Sequence, residues 1–98
     1  MLHMIVSVHG PDTCPMANPV LAKKTLAQNE RMAEVNKKYG VTVQGAWTDM
    51  GAHTTFMLVD APNAHVLGKI GMELELMNWN TSKVYPVLTM QEAMSNLK

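Results

Sequence analysis

Aromatic side chains, charge and cysteine are all scarce in this 98-residue chain: Phe, Trp and Tyr make up 5% of it and Asp, Glu, Lys and Arg 16%. Its one cysteine, Cys14, excludes an internal disulfide framework. Eight basic residues balance eight acidic ones, and no run of Lys and Arg occurs. That argues against a nucleic-acid partner, whose phosphates call for clustered cations. Long apolar runs are missing too. The longest, Leu2 to Val8, is interrupted by His3 and Ser7, and a spanning helix needs about 20 apolar residues. No cationic, apolar leader stands at the N-terminus, so a cytoplasmic protein with no membrane partner is expected.

What the chain does have is 47% apolar residues, enough for one globular core and too short a length for two. Ten of its residues are methionine. They are dispersed, without a repeated Met-x-x-Met run, which favours adaptable core filling over a thioether copper(I) site.

The segment Leu2–His9 alternates Leu2, Met4, Val6, Val8 against His3, Ile5, Ser7, His9, the period of a strand. Gly10 and Pro11 end it. Asn18 followed by Pro19 reads as an N-cap and first helical position. The helix is expected to run to about Lys38, where Lys37 and Lys38 suit the negative end of its dipole and Gly40 follows as a stop. Its apolar stripe of Leu26, Met32 and Val35 is thin. Val41–Thr48 and Thr54–Val59 read as strands joined through Asp49-Met50-Gly51-Ala52. Asn63 caps a second helix carrying Val66, Ile70, Leu74 and Met77 at helical spacing, with His65 in its solvated first turn. Val84–Leu88 reads as a fourth strand, placed at an edge by Pro86, and Met90–Leu97 as a short terminal helix.

The order βαββαβ gives an α+β, ferredoxin-like fold: a four-stranded antiparallel sheet with both helices on one face, in a single domain over residues 1–98. The uniformly apolar face of the first strand is expected to meet the helices. Ile5, with His3, Ser7 and His9, then lies on the other face, where a twofold copy would cover it.

The element order, Val41-Thr42-Val43-Gln44-Gly45-Ala46-Trp47, the hairpin His53–Ala61 and the ending Tyr85-Pro86-Val87-Leu88 resemble the dimeric α+β barrel superfamily. It includes the antibiotic-biosynthesis monooxygenase-like, YciI-like and GYD-type families. The resemblance implies two sheets packed face to face in a homodimer around a central cavity. Its members range from cofactor-free oxygenases to haem enzymes and binding proteins, so it implies little about chemistry. YciI-like members use a His–Asp pair, a role for which His9 and Asp12 are the residues to hand.

Topology narrows the site. In a split βαβ sheet, the end of strand one, the turn between strands two and three, the start of helix one and the start of strand four share one end of the domain. His9, Asp12, Cys14, Met50, His53 and Trp79 are expected to gather there. His9, Cys14 and His53 suit copper, zinc or iron, with Asp12 orienting an imidazole and Met50 a soft axial candidate. As a catalytic set, Cys14 would be nucleophile or redox thiol, with His9 and Asp12 as acid–base and orienting groups. Trp79 and Trp47, with Tyr85, would wall a cavity for a small molecule. Haem on His3 or His53 is a third reading, without a motif to support it. The bland alternatives stay open: Cys14 as a small buried residue, Asp12 as a turn cap, and a non-catalytic sensing or assembly module whose sheet face serves dimerisation. If the protein is an enzyme, an oxidoreductase of monooxygenase type is expected.

Overall fold

Asn18 starts the longest helix as expected, its Oδ1 accepting from the backbone N–H groups of Val20 (3.1 Å) and Leu21 (3.2 Å), with Pro19 at the first position. A computed structural model describes all 98 residues. It runs β1 (Leu2–Val8), a 3-10 turn (Pro11–Thr13), α1 (Pro19–Lys38), β2 (Thr42–Asp49), β3 (Thr54–Asp60), α2 (Ala64–Glu73), a second 3-10 turn (Leu76–Asn78), β4 (Thr81–Pro86) and α3 (Met90–Ser95). The strands form one sheet in the order β2-β3-β1-β4, antiparallel at every pairing. This is the ferredoxin-like arrangement. No helix is long and apolar enough to cross a membrane.

The core lies between the sheet and the helices. Val59 and Leu74 are 1% exposed, and Val35, Val41, Ala61, Leu67 and Ile70 complete the buried cluster. Ile5, Met57 and Val84 pack against it from the sheet. Two of these are cross-strand partners of Ile5, which lies opposite Met57 on β3 and Val84 on β4.

That placement reverses the expected phase of β1. His3, Ile5 and Ser7 face the helices, whereas Val8 is 45% exposed on the open side. Period two gives a strand without saying which face is inward, and a one-residue change of phase exchanges the faces. The right-handed crossover through α1 decides which side the helices cover. His3 is accordingly 1% exposed, with its Nδ1 3.1 Å from the carbonyl of Met1, and is not on an inter-sheet surface. The open side carries Met4, Val6, Phe56, Leu58, Trp47 and Tyr85 instead.

Three boundaries also differ. β4 begins at Thr81, because Thr81, Ser82 and Lys83 pair with Val8, Ser7 and Val6 despite their polarity. It ends at Pro86 and lies at the sheet edge, as a proline requires. α2 stops at Glu73, four residues short of Met77, because Glu75 adopts a left-handed backbone (φ 58°) that no helix can propagate. The inner face of α1 is more polar than its apolar spacing suggests: Gln28, Val35 and Asn36 are buried, whereas Leu26 is 67% exposed.

Candidate metal centre

Three loops deliver three side chains to one end of the sheet. His9 directly follows β1, and its backbone N–H donates to the carbonyl of His53 (3.1 Å), tying the end of β1 to the start of β3. His53 is held by the β2–β3 turn. There Asp49 Oδ1 accepts from the Ala52 N–H (3.1 Å), and Thr54 Oγ1 donates to the Ala52 carbonyl (2.8 Å). His53 itself takes a left-handed conformation (φ 51°), uncommon outside glycine, and this turns its ring back toward His9.

Cys14 ends the Pro11–Thr13 turn, its N–H donating to the Pro11 carbonyl (3.4 Å). Its own carbonyl accepts from Ala17 and Asn18, both at 3.0 Å, so the residue is fixed to the start of α1. Cys14 is 6% exposed.

The ligating atoms of His9, Cys14 and His53 all lie within 4.8 Å of one another. The His9 and His53 rings meet edge to face, with centroids 5.2 Å apart. Both nitrogens of His9 and the Nδ1 of His53 are buried without a hydrogen-bond partner. Buried polar groups are normally paired, and each orphan costs about 1–3 kcal/mol. Burial pushes the His9 pKa below the ordinary histidine value of 6.5, and the neighbouring His53 pushes it the same way. Asn80 opposes this from nearby, although its Nδ2 is donated to the Leu76 carbonyl (3.1 Å) and makes no well-formed bond to the ring. His9 is therefore held neutral, the form that ligates metals.

Trp79 completes the wall. Its indole lies 5.6 Å from the His9 ring, tilted by 56°, and its Nε1 is a fourth buried atom without a partner. The left-handed Glu75 sets its direction, by ending α2 and starting the turn that leads to Trp79. Both left-handed non-glycine residues of the chain thus serve this corner. Such strain collects at sites that need a particular side-chain direction.

Other expected members stand apart. Asp12 is exposed on the Pro11–Thr13 turn and is not one of the clustered ligand groups. Met50 is 59% exposed at the tip of the β2–β3 turn. Trp47 lies on edge strand β2, away from the ligand corner, with its ring over Gly45, where a Cβ would collide with the indole; with Trp79 it does line one cavity, as expected, whereas Tyr85 does not. His65 is exposed at the start of α2. Asn80 carries no sequence signal. For Thr25 and Gln28 of α1, whose Oγ1 and Oε1 are buried without hydrogen-bond partners, the one signal is the thinness of the α1 apolar stripe.

A family model described as a domain of unknown function, DUF3303, matches residues 3–98, and the chain belongs to that family. No curated protein matches it.

Proposed function

We propose that this DUF3303 protein binds zinc or copper through His9, Cys14 and His53, and uses the metal's open position to act on a small molecule. The observation that carries the reading is the convergence of two imidazoles and a thiol within 4.8 Å, with three imidazole nitrogens left unpaired in a buried corner. Zn–N bonds of about 2.0 Å and Zn–S bonds of about 2.3 Å put tetrahedral N–N and N–S ligand pairs roughly 3.3–3.5 Å apart. Side-chain adjustments of about an ångström would close the set. Three protein ligands with a fourth position free is the pattern of reactive rather than structural zinc, and two histidines with one cysteine also suits copper. Two neutral imidazoles and one thiolate leave a divalent ion with net positive charge, able to polarise a bound oxygen or, as copper, to exchange an electron.

The protein is further read as a homodimer through the open sheet face. Met4, Val6, Phe56, Leu58, Trp47 and Tyr85 present an apolar surface there. Strands of this length, four abreast, span about 23 by 19 Å, or roughly 400 Å² in projection. Lys83, opposite Val6, is on the same face; the apolar residues around it form a patch of the kind that is often functional, and a sheet face can pair with a twofold copy of itself.

The test is metal analysis of tag-free protein beside Cys14→Ser, followed by cobalt(II) or copper(II) loading. Stoichiometric metal and a thiolate-to-metal charge-transfer band, both lost in the variant, are expected. Equal metal content in the two proteins, or none in either after loading, overturns the assignment.

A further inference from the structure

The sheet and helices do not close completely on each other. A cavity of about 490 Å³ remains between the inner sheet face and the two long helices, within the size range of small-molecule sites. Its deep end is apolar, built from Ile5, Met57, Val59 and Ile70, and its shallow end is polar, with Ser7, Thr55 and Ser82. Ser7 and Ser82 satisfy each other across β1 and β4 (Oγ–Oγ 2.8 Å). No Asp, Glu, Lys, Arg or His lines the space. A charged guest would lose its hydration there with nothing in return.

The helix side carries the second observation. Gln28 is 8% exposed and lines the cavity, yet its Oε1 has no hydrogen-bond partner. Thr25, one turn earlier on the same face of α1, lines the cavity with its Oγ1 equally buried and unpaired. Two unpaired polar groups side by side under a helix are uncommon, since each costs about 1–3 kcal/mol. A guest hydroxyl resolves both, because one O–H donates to the amide oxygen while its lone pairs accept from the threonine hydroxyl. Trp79, which packs on His9, is also a cavity wall. The indole therefore stands between the cavity and the corner where His9, Cys14 and His53 meet.

We infer that the cavity binds an uncharged, largely apolar alcohol or phenol, with its hydroxyl held by Gln28 and Thr25 and its body against Ile5, Met57 and Ile70. The site goes beyond the metal reading and does not depend on it. The guest's neutrality follows from the uncharged lining, its hydroxyl from the two orphans, and its apolar body from the deep wall.

The experiment uses full-length, metal-stripped protein titrated with 4-tert-butylphenol, and with 4-tert-butylbenzoate as the charged control. It is followed by the indole N–H and side-chain amide signals in ¹⁵N-correlated NMR spectra. Saturable shifts at the Gln28 amide and the Trp79 indole with the phenol are expected, and at least tenfold weaker ones with the benzoate. Gln28→Leu keeps the side chain's bulk while removing the orphan. It should weaken the phenol about tenfold while leaving the protein's unfolding midpoint unchanged or higher. Absence of saturable shifts overturns the inference. So do shifts confined to the open sheet face at Met4, Leu58 and Tyr85, benzoate binding as tight as phenol, or phenol binding that Gln28→Leu leaves unchanged. Because metal is absent throughout, failure here is distinct from failure of the His9–Cys14–His53 assignment.

Discussion

If His9, Cys14 and His53 hold a metal only when folded, the metal must stabilise the fold by mass action. His9 and Cys14 come from one segment, whereas His53 comes from the β2–β3 turn and meets them only through the sheet. Unfolding therefore disperses the set, and the unfolded chain binds weakly. At a free metal concentration one hundred times the dissociation constant, the native state gains about 2.7 kcal/mol. For a domain of this length each kcal/mol moves the melting temperature by about 4–8 °C, so zinc should raise it by roughly 10–20 °C. The assay is thermal unfolding followed by circular dichroism, with free zinc set by a chelator buffer. The decisive comparison is the double variant Cys14→Ser/His53→Ala. Its metal-free melting temperature supplies its own baseline, and its response to zinc should fall to a few degrees. An unchanged melting temperature for the wild type at saturating zinc, or an equal rise in the double variant, would refute the reasoning.

The open face gives a second prediction. Phe56→Lys, on the outer side of the sheet and 38% exposed, should turn a dimer into a folded monomer in analytical ultracentrifugation. Ile5→Lys, which points into the helix core, should unfold the chain rather than dissociate it. In the core itself Leu74, 1% exposed, should cost about 2–5 kcal/mol when cut to alanine, read from urea midpoints. The Lys38–Glu73 ion pair (2.8 Å) joins the ends of α1 and α2, and its hydrogen bond holds the Glu73 pKa below its ordinary 4.5 and the Lys38 pKa above 10.5. The glutamate's share of stability is present above pH 4.5 and is lost as the pH falls through its lowered folded value. The lysine's share is present below 10.5 and lost as the pH rises through its raised value. Glu73→Gln should lower the melting temperature slightly between those two windows and leave it nearly unchanged beyond them, which flattens the profile.

Much of this was legible in the chain. The Asn18-Pro19 start signal, the Lys37-Lys38 end, the alternation of β1 and β2 and the β-branched and aromatic content of β3 each rest on local chemistry that tertiary packing did not override. The gathering of His9, Cys14 and His53 was legible for a different reason: once the order βαββαβ is accepted, antiparallel pairing leaves their segments no other end of the sheet. Where the reading missed, a contact distant in sequence decided the outcome. β4 begins three residues early because Ser82 and Lys83 are recruited by β1, and nothing in their own composition favours a strand. Helix α2 stops where Glu75 turns left-handed, a conformation that glutamate does not advertise.

The largest miss, the phase of β1, also links the proposed sites. Ranking faces by hydrophobicity puts Leu2, Met4, Val6 and Val8 inward, because it assumes that only one face is to be buried. An open face that is itself apolar defeats that ranking, and its apolarity is the signature expected if a second copy covers it. The exchange also sends His3, Ile5, Ser7 and His9 to the helix side. Their polar members are then needed there: Ser7 beside Ser82 at the cavity's polar end, and His9 against Trp79 at its corner. A sequence under selection for core stability alone would place valine or leucine at those positions. Keeping serine and histidine inward, with Gln28 and Thr25 on the cavity side of α1, sacrifices apolar burial on both sides of Trp79, in the cavity and in the ligand corner. The unpaired groups of His9 and His53 in the corner and of Gln28 and Thr25 in the cavity are the strongest physical argument that each of the two has an occupant.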